Sequence, residues 1–118
     1  MNNFFKSLFV APLFLFSALT AYAYVDKTVA LITVMDKAAG KTQNYEIPVG
    51  TELDAGKLKI TVQSCKQTDP FQAEDSFAFI RVQNENHKVI FSSWMSRNNP
   101  GAHPLQNPDY DLWVIECK

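Results

Sequence analysis

The sequence predicts an all-β domain: a small antiparallel sandwich or open barrel of about six strands, with one long loop before the last. Three observations predict it. Short runs rich in β-branched and aromatic residues recur along the chain, separated by Gly, Pro and Asn turn residues. Where the pattern is clearest it has period two, as in a half-buried strand. No window long enough for three helical turns keeps an apolar stripe at helical spacing.

The elements follow in order. Val29–Met35 (VALITVM) is β-branched and apolar, and Ala38-Ala39-Gly40-Lys41 breaks it. Thr42–Val49 follows, with Pro48 marking an edge or a strand end because proline donates no ladder hydrogen bond. Gly50 and Gly56 bracket a short link, Thr51–Ala55. Leu58–Cys65 sets Leu58, Ile60 and Val62 on one face and Lys59, Thr61 and Gln63 on the other. Pro70–Asp75 allows at most one helical turn. Ser76–Gln83 is the next strand, Asn84–His87 reads as a hairpin turn, and Lys88–Met95 returns. Tyr110–Cys117 is the last strand. Before it, Ser96–Asp109 holds three of the six prolines, Pro100, Pro104 and Pro108. So long a loop in a small domain is uncommon and often functional.

The chain has 118 residues. Residues 1–23 read as a secretory signal peptide: Lys6 supplies a positive start, Leu8–Leu19 an apolar core, and Ala21-Tyr22-Ala23 the small residues before a cleavage point. The apolar run is too short for a spanning helix, which needs about 20 residues. Residues 24–118 are then a single β domain, exported to the periplasm, with no transmembrane segment in the mature chain.

Formal net charge is −1, and losing Lys6 with the leader makes it −2. Without a basic cluster, nucleic-acid binding is excluded as an expectation. No P-loop, GxGxxG, HExxH or CxxC motif occurs.

Both cysteines, Cys65 and Cys117, fall in the mature part. An even count in a short exported chain reads as a disulfide. Closing a loop of that length is worth about 4 kcal/mol in the chain-entropy model. Strand parity complicates the pairing. Cys117 shares a face with Trp113 and Ile115, which reads as the core face. Cys65 has the parity of Lys59, Thr61 and Gln63. The bond therefore requires a bulge or strand end near Gln63-Ser64, or a position at a sheet edge.

The C-terminal half carries Phe91-Ser92-Ser93-Trp94-Met95, Asn99-Pro100-Gly101, His103-Pro104-Leu105 and Asn107-Pro108-Asp109-Tyr110-Asp111-Leu112-Trp113-Val114-Ile115-Glu116-Cys117. The first half carries Tyr45-Glu46-Ile47-Pro48-Val49-Gly50 and Leu58-Lys59-Ile60-Thr61-Val62 ahead of Cys65. In these segments the chain resembles a family of uncharacterised secreted bacterial proteins, catalogued as domain of unknown function 2155. The resemblance spans about Val29 to Lys118. It implies export and supports the disulfide, and it implies no activity.

Candidate catalytic sets are sparse. Ser92, Ser93 and Ser96 with His87 or His103 lack a nucleophile-elbow motif. Asp109 and Asp111 are two apart at a strand start, where aspartate ordinarily caps a turn. Adding His103 gives a possible oxygen-rich metal set without calcium-loop spacing. We therefore expect no cofactor and no metal, and leave open whether the protein is an enzyme. Aromatic residues point to binding. Trp94 has the parity opposite to Phe91, so one of the two faces away from the core. Trp94 and Tyr110 stand at the two ends of the long loop, whose polar side chains include Arg97 and His103. These four residues form the expected binding site. The expected partner is an envelope protein, in a non-catalytic interaction or accessory role. The alternatives are a cell-wall glycan and, separately, an unrecognised enzyme.

Overall fold

The computed structural model describes residues 24–118; the expected signal peptide lies outside them. The described residues form eight strands and no helix: β1 (Tyr24–Asp26), β2 (Val29–Asp36), β3 (Lys41–Pro48), β4 (Glu52–Ala55), β5 (Leu58–Thr68), β6 (Ser76–Gln83), β7 (Val89–Ser96) and β8 (Tyr110–Cys117). They make two antiparallel sheets, packed as an open sandwich. In the first, β5, β6 and β7 lie side by side, and β4 and β1 pair with successive parts of the other side of β5. In the second the order is β3-β2-β8. The all-β expectation holds. The two additional strands are β1, too short to show a period, and β4, which the sequence shows only as a link between glycines.

Those glycines are the turns at either end of β4. Gly50 has φ 90° and Gly56 φ 61°, both left-handed, where a side chain is strained. Gly56 has a second constraint. A Cβ built there would stand 2.5 Å from the Tyr110 hydroxyl oxygen, which accepts a hydrogen bond from the Lys57 N–H at 3.1 Å. The Asn84–His87 turn is present as expected. The Asn84 Oδ1 accepts the N–H groups of Asn86 and Lys88, and His87 takes the left-handed φ of 64°.

Period two assigns the core. Ala30, Ile32 and Val34 of β2, Ile60 and Val62 of β5, and Ala78, Ile80 and Val82 of β6 point between the sheets and are buried. The disulfide joins Cys65 and Cys117 within this layer, tying β5 of one sheet to β8 of the other. Both cysteines reach it through bulges. The register of β5 on β6 shifts between Val62 and Ser64, leaving Gln63 as the extra residue and returning Cys65 to the core face. The bulge sits where β5 changes partners, since β4 pairs up to Thr61 and β1 pairs from Lys66.

A second bulge corrects the expectation for β8. Its register on β2 passes from Val114 to Glu116, so Ile115 is extra. Tyr110, Leu112 and Val114 face the core with Cys117, whereas Trp113 is half-buried on the outer face and Ile115 is exposed. Parity counted back from Cys117 inverted the strand, because the inserted residue flips every side chain before it. Deleting Gln63 would restore plain alternation from Val62 through Ser64 to Cys65. That variant is therefore expected to fold with its disulfide intact, losing no more than about 1 kcal/mol. Non-reducing mass analysis and thermal melting check it; two free thiols would contradict it.

The long connection, residues 97–109, joins the end of β7 in the first sheet to the start of β8 in the second. Leu105 is buried in the core and pins it, while Pro104 and Pro108 remain exposed. Its far end is fixed by Asn107, whose Oδ1 accepts the N–H groups of Asp109 and Tyr110, and by the Lys37 N–H, which donates to the Asp109 carbonyl. Spanning the second sheet from the end of β8 to β3, Lys118 bonds Glu46 at 2.7 Å, and this hydrogen bond raises the ammonium above its ordinary value of 10.5. The pairing contributes stability below pH 10.5 and loses it as pH rises through the raised value.

Candidate functional site

The alternation that buries Ala78, Ile80 and Val82 places Phe77, Phe79 and Arg81 on the outer face of β6. An outer face of an antiparallel sheet is ordinarily polar. Two aromatics in succession on a central strand therefore need an explanation. Register adds neighbours to them. Trp94 of β7 stands opposite Phe79, and Lys66 of β5 opposite Phe77. The pairing of β1 with the end of β5 brings up Tyr24.

The rings meet edge to face. Phe79 and Trp94 have centroids 5.4 Å apart at an interplanar angle of 69°, and Tyr24 and Phe77 are 5.7 Å apart at 80°. Between them lies a shallow groove of about 330 Å³ lined by Tyr24, Lys66, Phe77 and Trp94. Trp94 is 40 % exposed and Tyr24 51 %. Lys66 is held at 3.0 Å by Asp26, so its charge is partly offset and its alkyl stem serves as a wall. Phe71, 95 % exposed, sits on the β5–β6 connection at the same end of the sheet.

The four expected site residues do not come together. Trp94 faces outward, as its parity against Phe91 allows, and Phe91 packs against the core. Tyr110 faces inward and is only 8 % exposed, with its hydroxyl against the Gly56-Lys57 turn. It lines a different cavity from Trp94, so the two do not frame one site. Arg97 is engaged in structure. Its guanidinium lies 3.6 Å from the Glu74 carboxylate and donates to the Glu74 carbonyl, and its N–H donates to the Ser76 carbonyl. Asp75 completes this junction, accepting from the N–H groups of Ser76 and Asn98 and from the Ser96 hydroxyl. His103 is exposed on the long loop and does not line the groove. Among the described residues no three His, Cys, Asp or Glu side chains gather as a metal set, His103, Asp109 and Asp111 included. No helix among them is long and apolar enough to cross a membrane.

Sequence reasoning missed Tyr24, Lys66, Phe77 and Phe79. The signal was present in Ser76–Gln83, whose two faces are both apolar up to Phe79. A strand with two apolar faces must leave one outside a two-sheet sandwich.

The fold and its outer surface define a class: a small, disulfide-linked β-sandwich presenting an exposed aromatic groove. A family model described as an uncharacterised protein conserved in bacteria, DUF2155, matches residues 30–117. The chain belongs to that family. No curated protein and no solved structure matches it.

Proposed function

We propose that this protein is a non-catalytic interaction module of the bacterial envelope, exported through its leader, with its site at the outer aromatic groove. One observation carries the reading: Trp94, Tyr24 and Phe77 form an apolar groove on the outer face of the first sheet, with Trp94 and Tyr24 exposed. Exposed aromatics clustered around a groove supply the buried anchors of protein interfaces. The oxidising compartment implied by the Cys65–Cys117 bond agrees with export. Of the residues expected from sequence, Trp94 is central to this site, while Arg97 is held at Glu74 and Tyr110 is buried in the core.

A protein is favoured over a cell-wall glycan by the ring geometry. Sugars stack on aromatic faces held flat and flanked by polar groups, whereas these rings stand steeply to one another around an apolar hollow.

Crosslinking in cells followed by pull-down is expected to recover a discrete partner with the native protein. Recovery should fall at least about tenfold with Trp94→Ala, because a truncated hot-spot aromatic costs about 2 kcal/mol or more. Thermal stability should change little, since Trp94 stands outside the core. Undiminished recovery by the folded variant would remove the groove from consideration. Sedimentation with purified sacculi, abolished by Trp94→Ala, would replace the protein partner with a glycan.

A further inference from the structure

The groove borders an edge strand with unusual properties. Among the described residues β7 pairs only with β6. Of the two edge strands of the other sheet, β3 carries Lys41, Glu46 and Pro48 and β8 carries Asp111 and Glu116, the charges and proline that ordinarily block edge-to-edge pairing. The sequence of β7, VIFSSWMS, has neither a charge nor a proline.

Its free backbone groups can be assigned. The Arg97 N–H donates to the Ser76 carbonyl, so those two residues form a hydrogen-bonded pair. Antiparallel alternation then turns the N–H and C=O of Met95 and Ser93 toward β6. The same groups of Ser96, Trp94 and Ser92 point away, toward solvent. Trp94 and Ser92 thus offer backbone hydrogen bonds at the edge and side chains on the grooved face. Beside Ser92 in register is Arg81, on the same face, and it has no ion-pair partner among the described residues. The small side chain of Ser92 leaves the guanidinium a path to whatever lies beyond the edge.

We infer that β7 accepts an extended peptide as an added antiparallel strand, with an aromatic side chain against Trp94 and an acidic side chain two residues later facing Arg81. The inference rests on the interaction reading and specifies its partner. Main-chain hydrogen bonds to Ser92 and Trp94 supply affinity, and the alternate side chains supply selectivity. The spacing of two follows from strand geometry, since only every second residue of the added strand lies on the grooved face. The acid follows from charge: Arg81 is the one charged side chain of β6 and β7 on that face. Order follows from direction, since an antiparallel strand meets Trp94 before Ser92.

The probe is a fluorescein-labelled seven-residue threonine peptide with phenylalanine at its third position and glutamate at its fifth. It is expected to bind the mature domain. Affinity should fall about tenfold when glutamate is replaced by lysine, and Arg81→Glu should reverse that preference. Methylating the backbone nitrogens that face the edge should abolish binding whatever the variant, and this readout does not depend on any substitution in the protein. Binding that tolerates N-methylation, or that ignores the charge at Arg81, overturns strand addition. So does concentration-dependent dimerisation lost in Ser92→Pro, which would assign the edge to a second copy of the chain. If a photocrosslinker at Phe77 captures a partner in a Trp94-dependent way while the peptide fails to bind, strand addition falls and the interaction reading stands. Loss of both removes both.

Discussion

Replacing both cysteines, Cys65→Ala with Cys117→Ala, is expected to lower stability by about 2–5 kcal/mol. In a domain this small that corresponds to a fall in Tm of roughly 10–30 °C. The bond closes a loop of 52 residues and cross-links β5 of one sheet to β8 of the other. Both cysteines are fully buried, so two contributions add: the constraint on the unfolded chain and the packing of the sulfurs in the core. The neighbourhood depends on the bond as well. Ser76, itself buried, accepts the Cys117 N–H at 3.2 Å through its hydroxyl, and loosening β8 leaves both groups unpaired. Calorimetry of native and double-alanine proteins measures the difference. Two alkylatable thiols in the folded native protein would refute the bond.

Gly56→Ala is expected to cost about 2–4 kcal/mol, far more than a surface substitution, because two penalties coincide. The position has φ 61°, where a Cβ is strained, worth about 1 kcal/mol. The new methyl also meets the Tyr110 hydroxyl at 2.5 Å, and that oxygen cannot withdraw without abandoning the Lys57 N–H. The clash is separable from the strain. Tyr110→Phe alone should cost about 1–2 kcal/mol for the lost hydrogen bond. In that background Gly56→Ala should cost visibly less, since the nearest remaining ring atoms lie at 3.2 Å. Denaturant melts of the four proteins give the coupling. Strict additivity would show that backbone strain alone makes Gly56 necessary.

The sequence by itself determined the all-β class, the core strands, the Asn84–His87 turn and the pairing of the only two cysteines. Period two, turn chemistry and cysteine count are local properties, legible without knowing the neighbours. It also placed Trp94 and Phe91 on opposite faces. Tertiary structure decided the rest. β1 and β4 exist because β5 offers each a ladder; strands of three and four residues have no signal apart from that partner. Alternation says which residues share a face, not which face is inside. Ser76–Gln83 offers two faces that both begin apolar, and it buries Ala78, Ile80 and Val82, leaving Phe77 and Phe79 outside on the face that also carries Arg81. The bulges at Gln63 and Ile115 reset parity midway along β5 and β8. Counting back from Cys117 therefore assigned Trp113 and Ile115 to the core in place of Leu112 and Val114. The aromatic groove follows from both decisions. It draws one residue from β1, one from β5, one from β6 and one from β7, brought together by strand pairing across the sheet and not by closeness along the chain.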